Sequence, residues 1–142
     1  MYQKLIVVGN LGGDPEMRYM PDGTAVTNFS VATNRKWTDG ATGEPVEEVT
    51  WFRVSVWGKQ AESCNQYLEK GRLVLVEGRL QPDPKTGGPR IWSRQVDGSA
   101  GASYDLRAFN VRFLGSQEDA AATREHYDQQ RQTVVEEDDI PF

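Results

Sequence analysis

The chemistry-bearing residues of this chain cluster around four tryptophans, Trp37, Trp51, Trp57 and Trp92, each close to arginine or lysine. The stretch Thr50-Trp51-Phe52-Arg53-Val54-Ser55-Val56-Trp57 is the most informative. Successive side chains of an extended strand point to opposite faces, so Phe52, Val54 and Val56 share one face while Trp51, Arg53, Ser55 and Trp57 share the other. The first row is an ordinary core row. The second cannot also be core, because Arg53 would be buried there without an evident partner. Indole faces stack on unpaired bases while a guanidinium holds phosphate, and each stacked base contributes about 1–3 kcal/mol. The bland alternative is that these indoles cover a subunit interface or cap a barrel; their shared parity with Arg53 favours the ligand. Trp37 has core parity counted from Phe29 and Val31, so it reaches a binding face only if its strand bends or ends first. Arg35 and Lys36, just before it, are candidate phosphate contacts by charge and location. Trp92 lies in a glycine- and proline-rich stretch with Lys85, Arg90 and Arg94, and is expected outside the core.

Other chemistries lack their residues. Gly9-Asn10-Leu11-Gly12-Gly13 does not have the G-x-G-x-x-G spacing and runs into Asp14-Pro15 instead of a helix, and no G-x-x-x-x-G-K-[ST] phosphate loop occurs. His126 is the only histidine, which removes His-based triads and most catalytic zinc sites. Cys64 is the only cysteine, so an internal disulfide and a thiolate zinc site are both ruled out. No catalytic residues, metal or cofactor are expected.

The elements that must position these residues read as strands: Gln3 to Asn10, Ala25 to Arg35, Glu48 to Trp57, Arg72 to Leu80 and Tyr104 to Leu114. All are rich in β-branched and aromatic residues and bounded by Gly, Pro, Asn or Asp. One helix is expected from Gln60 to Lys70, with Ala61, Cys64, Tyr67 and Leu68 on one face and Gly71 at its C-terminus. Five strands with a helix between the third and fourth is the order of an all-β OB-fold, a partly open Greek-key barrel. Thr38 to Glu47 and Gln81 to Ser103 read as long loops, of the kind that are functional or mobile.

The net charge of −5 divides unevenly along the 142 residues. Through Gly115, 14 basic residues face 13 acidic ones, whereas Ser116 to Phe142 holds 2 basic and 8 acidic. A near-neutral domain (residues 1–115) therefore carries an acidic segment (116–142), and that asymmetry points to nucleic acid or a basic partner. In 117–132 the only bulky apolar residue is Tyr127, so the segment is expected to be a disordered tail. The longest apolar runs are Leu5–Val8 and Leu73–Val76, far short of the roughly 20 residues of a membrane helix. Polar residues follow the first of these too soon for a signal peptide. A reduced, cytoplasmic protein is expected.

Several motifs taken together resemble the bacterial single-stranded DNA-binding protein family. They are Val8-Gly9-Asn10-Leu11-Gly12 with Asp14-Pro15-Glu16-Met17-Arg18-Tyr19, Thr50-Trp51-Phe52-Arg53-Val54, and Trp57-Gly58-Lys59-Gln60-Ala61-Glu62. Tyr67-Leu68-Glu69-Lys70-Gly71, Val76-Glu77-Gly78-Arg79-Leu80, Phe113-Leu114-Gly115 and Asp138-Asp139-Ile140-Pro141-Phe142 follow in the same order. The resemblance implies a homotetramer that wraps single-stranded DNA in association with the nucleoid. In it Trp37, Trp51 and Trp57 stack on bases, with Trp92 near a fourth such position. Lys4, Arg18, Arg53, Lys59 and Lys70 resemble the family's basic positions. Asp138, Asp139, Ile140, Pro141 and Phe142 resemble its docking peptide for replication, recombination and repair proteins. Two departures stand out: the segment from Gln81 to Ser103 is enlarged, and the acidic segment lacks the usual glycine-rich spacer. The rival readings are an RNA-binding or primosomal OB module and, from another class, an OB domain that contacts only protein.

Overall fold

The computed structural model describes residues 1–133; the proposed docking residues Asp138 to Phe142 lie outside the described residues. The chain runs β1 (Leu5–Leu11), β2 (Glu16–Tyr19), β3 (Ala25–Thr38), β4 (Pro45–Trp57), α1 (Lys59–Tyr67), β5 (Leu73–Leu80), β6 (Arg90–Ser93), β7 (Ala100–Leu114) and α2 (Gln117–Thr133). The five expected strands are β1, β3, β4, β5 and β7. They pair in the order β1-β5-β7-β4-β3, and a further β1–β3 pairing closes the barrel. The β4–β7 pairing is parallel, the rest antiparallel. This is the OB-fold.

Alternation sorts the two faces. Val7, Leu11, Phe29, Val31, Val54, Val56, Val74, Val76 and Leu106 are buried inside the barrel. Helix α1 contributes Ala61 and Cys64, and Leu68 just after it completes this plug, while Tyr67 stays exposed beside Phe113. The Thr27 hydroxyl donates to the Ala61 carbonyl at 2.6 Å, which satisfies a buried polar group where helix meets strand. Burial pushes the Cys64 thiol up to about 12, so it packs as a small hydrophobe and is no nucleophile at neutral pH.

Three expectations change. The helix ends at Tyr67, three residues early, and Gly71 is not its cap. Gly71 has φ +91, and a Cβ there would lie 2.2 Å from the Ala120 carbonyl oxygen. That close approach explains the second difference: 117–133 is not disordered but forms α2. It docks without a bulky apolar residue, because Ala120 is buried against the glycine. Ser116 and Asp119 cap its start, the Asp119 amide donating to the Ser116 hydroxyl and Asp119 accepting from Ser116. Arg124 pairs with Asp14 at 3.2 Å, and Lys70 with Asp128. Third, Gln81 to Ser103 is not wholly loop. β6 pairs with the first residues of β7, Arg90 opposite Ser103 through Ser93 opposite Ala100, and Gly98 at φ +73 closes the turn between them.

Two hairpins therefore leave the barrel. In the first, β3 and β4 stay paired to Thr38 and Pro45, well beyond the buried part of either strand. The β6–β7 ribbon is the second.

Candidate nucleic-acid interface

Sheet register assembles the site. Across β2, β3 and β4, Arg18 pairs with Val26, and Val26 with Trp57. One row on, Ser55 is registered with Asn28 on β3 and with Arg107 on β7, and its hydroxyl donates to the Asn28 side chain at 2.8 Å. The next row joins Ser30, Arg53 and Asp105, and the last sets Trp51 opposite Ala32. All these residues share the face opposite Val54 and Val56, as alternation requires.

Two grooves open on this face. One, of about 540 Å³, is lined by Arg18, Arg53, Trp57, Lys85, Arg90 and Asp105 among others. The second, of about 560 Å³, runs along Gly13 to Arg18 and the edge of β3. Arg18, Asn28 and Arg53 line both, so the two grooves meet at a pair of guanidiniums. Asp83 and Asp105 line the first groove and Asp14 and Glu16 the second, so cations dominate this track only where Arg18 and Arg53 meet and along Lys85 and Arg90. Guanidiniums with an indole in the same wall can hold a phosphate beside an aromatic group.

Each tryptophan is held differently. Trp51 is half-buried, with its ring over Gly12, where a Cβ would sit 2.3 Å from the indole. Trp57 carries the Arg107 guanidinium 4.9 Å from its ring centroid. Trp37 is 39% exposed, with Arg35 at 5.0 Å. Its strand neither bends out nor ends early, as the parity argument required. It is exposed because the β3–β4 hairpin runs beyond the barrel, where neither face has a core to cover. Trp92 lies on the second hairpin over Gly101, with Arg94 at 5.7 Å, and its buried indole N–H has no acceptor among the described residues.

The basic residues divide. Arg18 and Arg53 line the track, and Arg35 and Lys36 are exposed on the first hairpin. Lys59 is exposed at the start of α1, one residue past Gly58 and so close to Trp57. Lys4 lies elsewhere, bonded to Glu77 at 2.6 Å; that carboxylate raises the lysine's pKa and is itself held below its ordinary value. Lys70 pairs with Asp128 of α2 and its amide donates to Asp14, so it is not among the track-lining residues. Arg107 was missed by the sequence reading, although the alternation about Leu106 puts Asp105 and Arg107 on the outer face. Among the described residues no group of three or more His, Cys, Asp or Glu is placed to hold a metal ion, and no helix is long and apolar enough to cross a membrane.

A closed five-stranded barrel with tryptophan and arginine side chains along one open face defines the class: an OB-fold barrel. The chain belongs to the single-strand binding protein family, whose profile matches residues 2–114. It is 44% identical over 112 residues to the single-stranded DNA-binding proteins of Neisseria meningitidis serogroups A and B, covering 79% of this chain. The chain spans 59% of the length of those relatives. Among solved structures, a Plasmodium falciparum SSB in complex with ssDNA superposes with a TM-score of 0.63 at 27% identity. That match covers 81% of this chain and 96% of the other. A deletion mutant of the single-stranded DNA-binding protein from Thermus aquaticus gives 0.59 at 31% identity, covering 80% of this chain and 51% of the other.

Proposed function

We propose that this protein binds single-stranded DNA without sequence preference and is not an enzyme. The observation that carries this reading is the convergence of Arg18 and Arg53 on both grooves, with Trp57 in the wall of one. Guanidiniums at the junction hold the backbone while indoles take bases of any identity, because every base has a π-face. Oligo(dT) should quench tryptophan emission, and Trp51→Ala should weaken binding by about 1–3 kcal/mol. Log affinity should fall with log salt, by roughly 0.7 per phosphate neutralised on a single strand. Unchanged affinity and quenching in both Trp51→Ala and Trp57→Ala would remove the proposed platform.

On the same reading, residues 1–115 are the DNA-binding and assembly domain of a cytoplasmic, nucleoid-associated homotetramer. The exposed Ile6 and Val8 on the outer face of β1 support assembly through that strand. Mass measurement in solution, alone and with oligo(dT) of graded length, tests subunit count and occupied length together. Residues 116–142 are the recruiting segment for replication, recombination and repair proteins, with Asp138-Asp139-Ile140-Pro141-Phe142 as the docking residues. Phe142 suits an apolar pocket and the aspartates suit a basic rim. Deleting Phe142 should abolish capture of such partners while DNA affinity stays unchanged.

A further inference from the structure

Two carboxylates, Asp83 and Asp105, stand in the wall of the groove lined by Arg18, Arg53, Lys85 and Arg90, where a negative charge repels phosphate. Asp83 accepts from the Lys85 amide in its own turn, whereas Asp105 belongs to β7. Its side chain is only 16% exposed, so it is also partly desolvated, and such a charge persists only where partners compensate it. Those partners are specific. The Ser103 hydroxyl donates to its carboxylate at 2.7 Å, and the Arg90 guanidinium lies 4.0 Å away. Its main-chain carbonyl accepts the Gln81 amide at 2.8 Å, and its Cα is registered with Arg53.

The location explains the arrangement. β7 pairs with β6 up to Ser103 and with β4 from Tyr104 onward, so Asp105 sits just inside the joint between the barrel and the second hairpin. Arg90 is the first residue of β6, on the far side of that joint, and Trp92 follows two residues later on the same face of the ribbon. The contact between Asp105 and Arg90 therefore spans the hinge of the hairpin that carries Trp92.

We propose that Asp105 is a positioning residue for DNA binding: it holds Arg90, and through it the β6–β7 hairpin, against the groove wall. The Arg90 guanidinium is still more than half exposed and meets Asp105 by charge at 4.0 Å, so its donors stay open to a phosphate. This rests on the single-stranded DNA reading given above.

The sign of one substitution separates positioning from plain charge. Asp105→Asn keeps the shape and removes a negative charge from a phosphate site, which by charge alone tightens binding. Positioning requires the opposite: binding of oligo(dT) weakened about three- to fivefold, the scale of a partly exposed ion pair. Arg90→Ala should lose a similar factor, the double variant should be no weaker than Arg90→Ala alone, and Asp105→Glu should recover part of the loss. Amide exchange across residues 90–103, measured without DNA, should be faster in Asp105→Asn than in the parent. Equal or tighter binding by Asp105→Asn, or additive losses in the double variant, would overturn the proposal. So would unchanged exchange in 90–103. A parent that binds no oligonucleotide sinks the functional reading instead, and the exchange comparison still decides whether Asp105 holds the hairpin.

Discussion

The two hairpins carry the same pair of side chains and use them differently. Each sets an arginine over an indole, Arg35 on Trp37 at 5.0 Å and Arg94 on Trp92 at 5.7 Å. The first hairpin continues two barrel strands in unbroken register, so its geometry is inherited from the core. The second pairs over four residues only, and β6 meets β7 only along the stretch before β7 enters the barrel. It compensates by folding its own tryptophan onto β7, where Gly101 leaves room for the ring. Trp37 is thus available to a ligand, whereas one face of Trp92 already serves to hold its ribbon together. A shared side-chain pair does not imply a shared role; support from below decides it.

The largest contrast should come from removing the indoles. Trp37→Ala is expected to weaken oligo(dT) binding by about 1–3 kcal/mol, a stacked base lost. Trp92→Ala should cost less than half as much in affinity and should instead speed amide exchange in 90–103. Equal affinity losses in parallel titrations would erase the distinction between the hairpins. Next in size is a pair of glycine substitutions. Gly101→Val places a Cβ 2.2 Å from the Trp92 ring and must push it away, at roughly 1–3 kcal/mol of overpacking. A Cβ at Gly40, in the turn of the first hairpin, meets nothing within 4 Å, so Gly40→Val should leave that hairpin unchanged. Tryptophan near-UV circular dichroism distinguishes the two variants, and an unperturbed Gly101→Val signal would refute the packing of Trp92 on Gly101.

Smaller effects follow from the arginines. Arg35→Ala and Arg94→Ala should each remove about 0.5–1 kcal/mol of cation–π attraction. Only Arg94→Ala should loosen its hairpin, as seen by exchange, because only there does the ring hold the strands. The smallest effect is a pH response in the turn of the second hairpin. The Ser99 hydroxyl and amide hold Asp97 below its ordinary value of 3.8. Its contribution is present above that value and lost as pH falls through the lower folded-state value. Protection of the Ser99 amide should therefore decline only below about pH 3.8, and a decline beginning nearer neutrality would assign it to another group.

Much of the fold was legible because alternation is a local property. The rows Trp51, Arg53, Trp57 and Phe52, Val54, Val56 fall on opposite faces in the structure, as a period of two demands. Helical spacing likewise placed Ala61, Cys64 and Leu68 against the core, but not Tyr67, which the same face included and which is exposed at the helix end. Periodicity failed where burial stops being local. Core parity at Trp37 meant nothing beyond the end of the barrel. The dense glycines and prolines of 81–103 concealed a ribbon, since the turn around Asp97-Gly98 joins two stretches that pair over only four residues each. Search for a large apolar side chain missed the docking of α2, which depends on an alanine meeting a glycine.

Composition and order alone determined the five barrel strands, the single plugging helix and which face of β4 is open, because each follows from side-chain period and turn chemistry. Closure, by contrast, needed the long-range β1–β3 pairing. Tertiary structure decided which cations share a track. Arg18 and Arg53, 35 positions apart, converge through β2–β3–β4 pairing, while Lys4 and Lys70 are drawn off to Glu77 and Asp128. It also put Arg107 over Trp57 and Asp105 beside Arg90, contacts between residues whose separation in the chain carries no signal. Charge is a property of a residue, but its availability to a ligand depends on what the fold sets next to it.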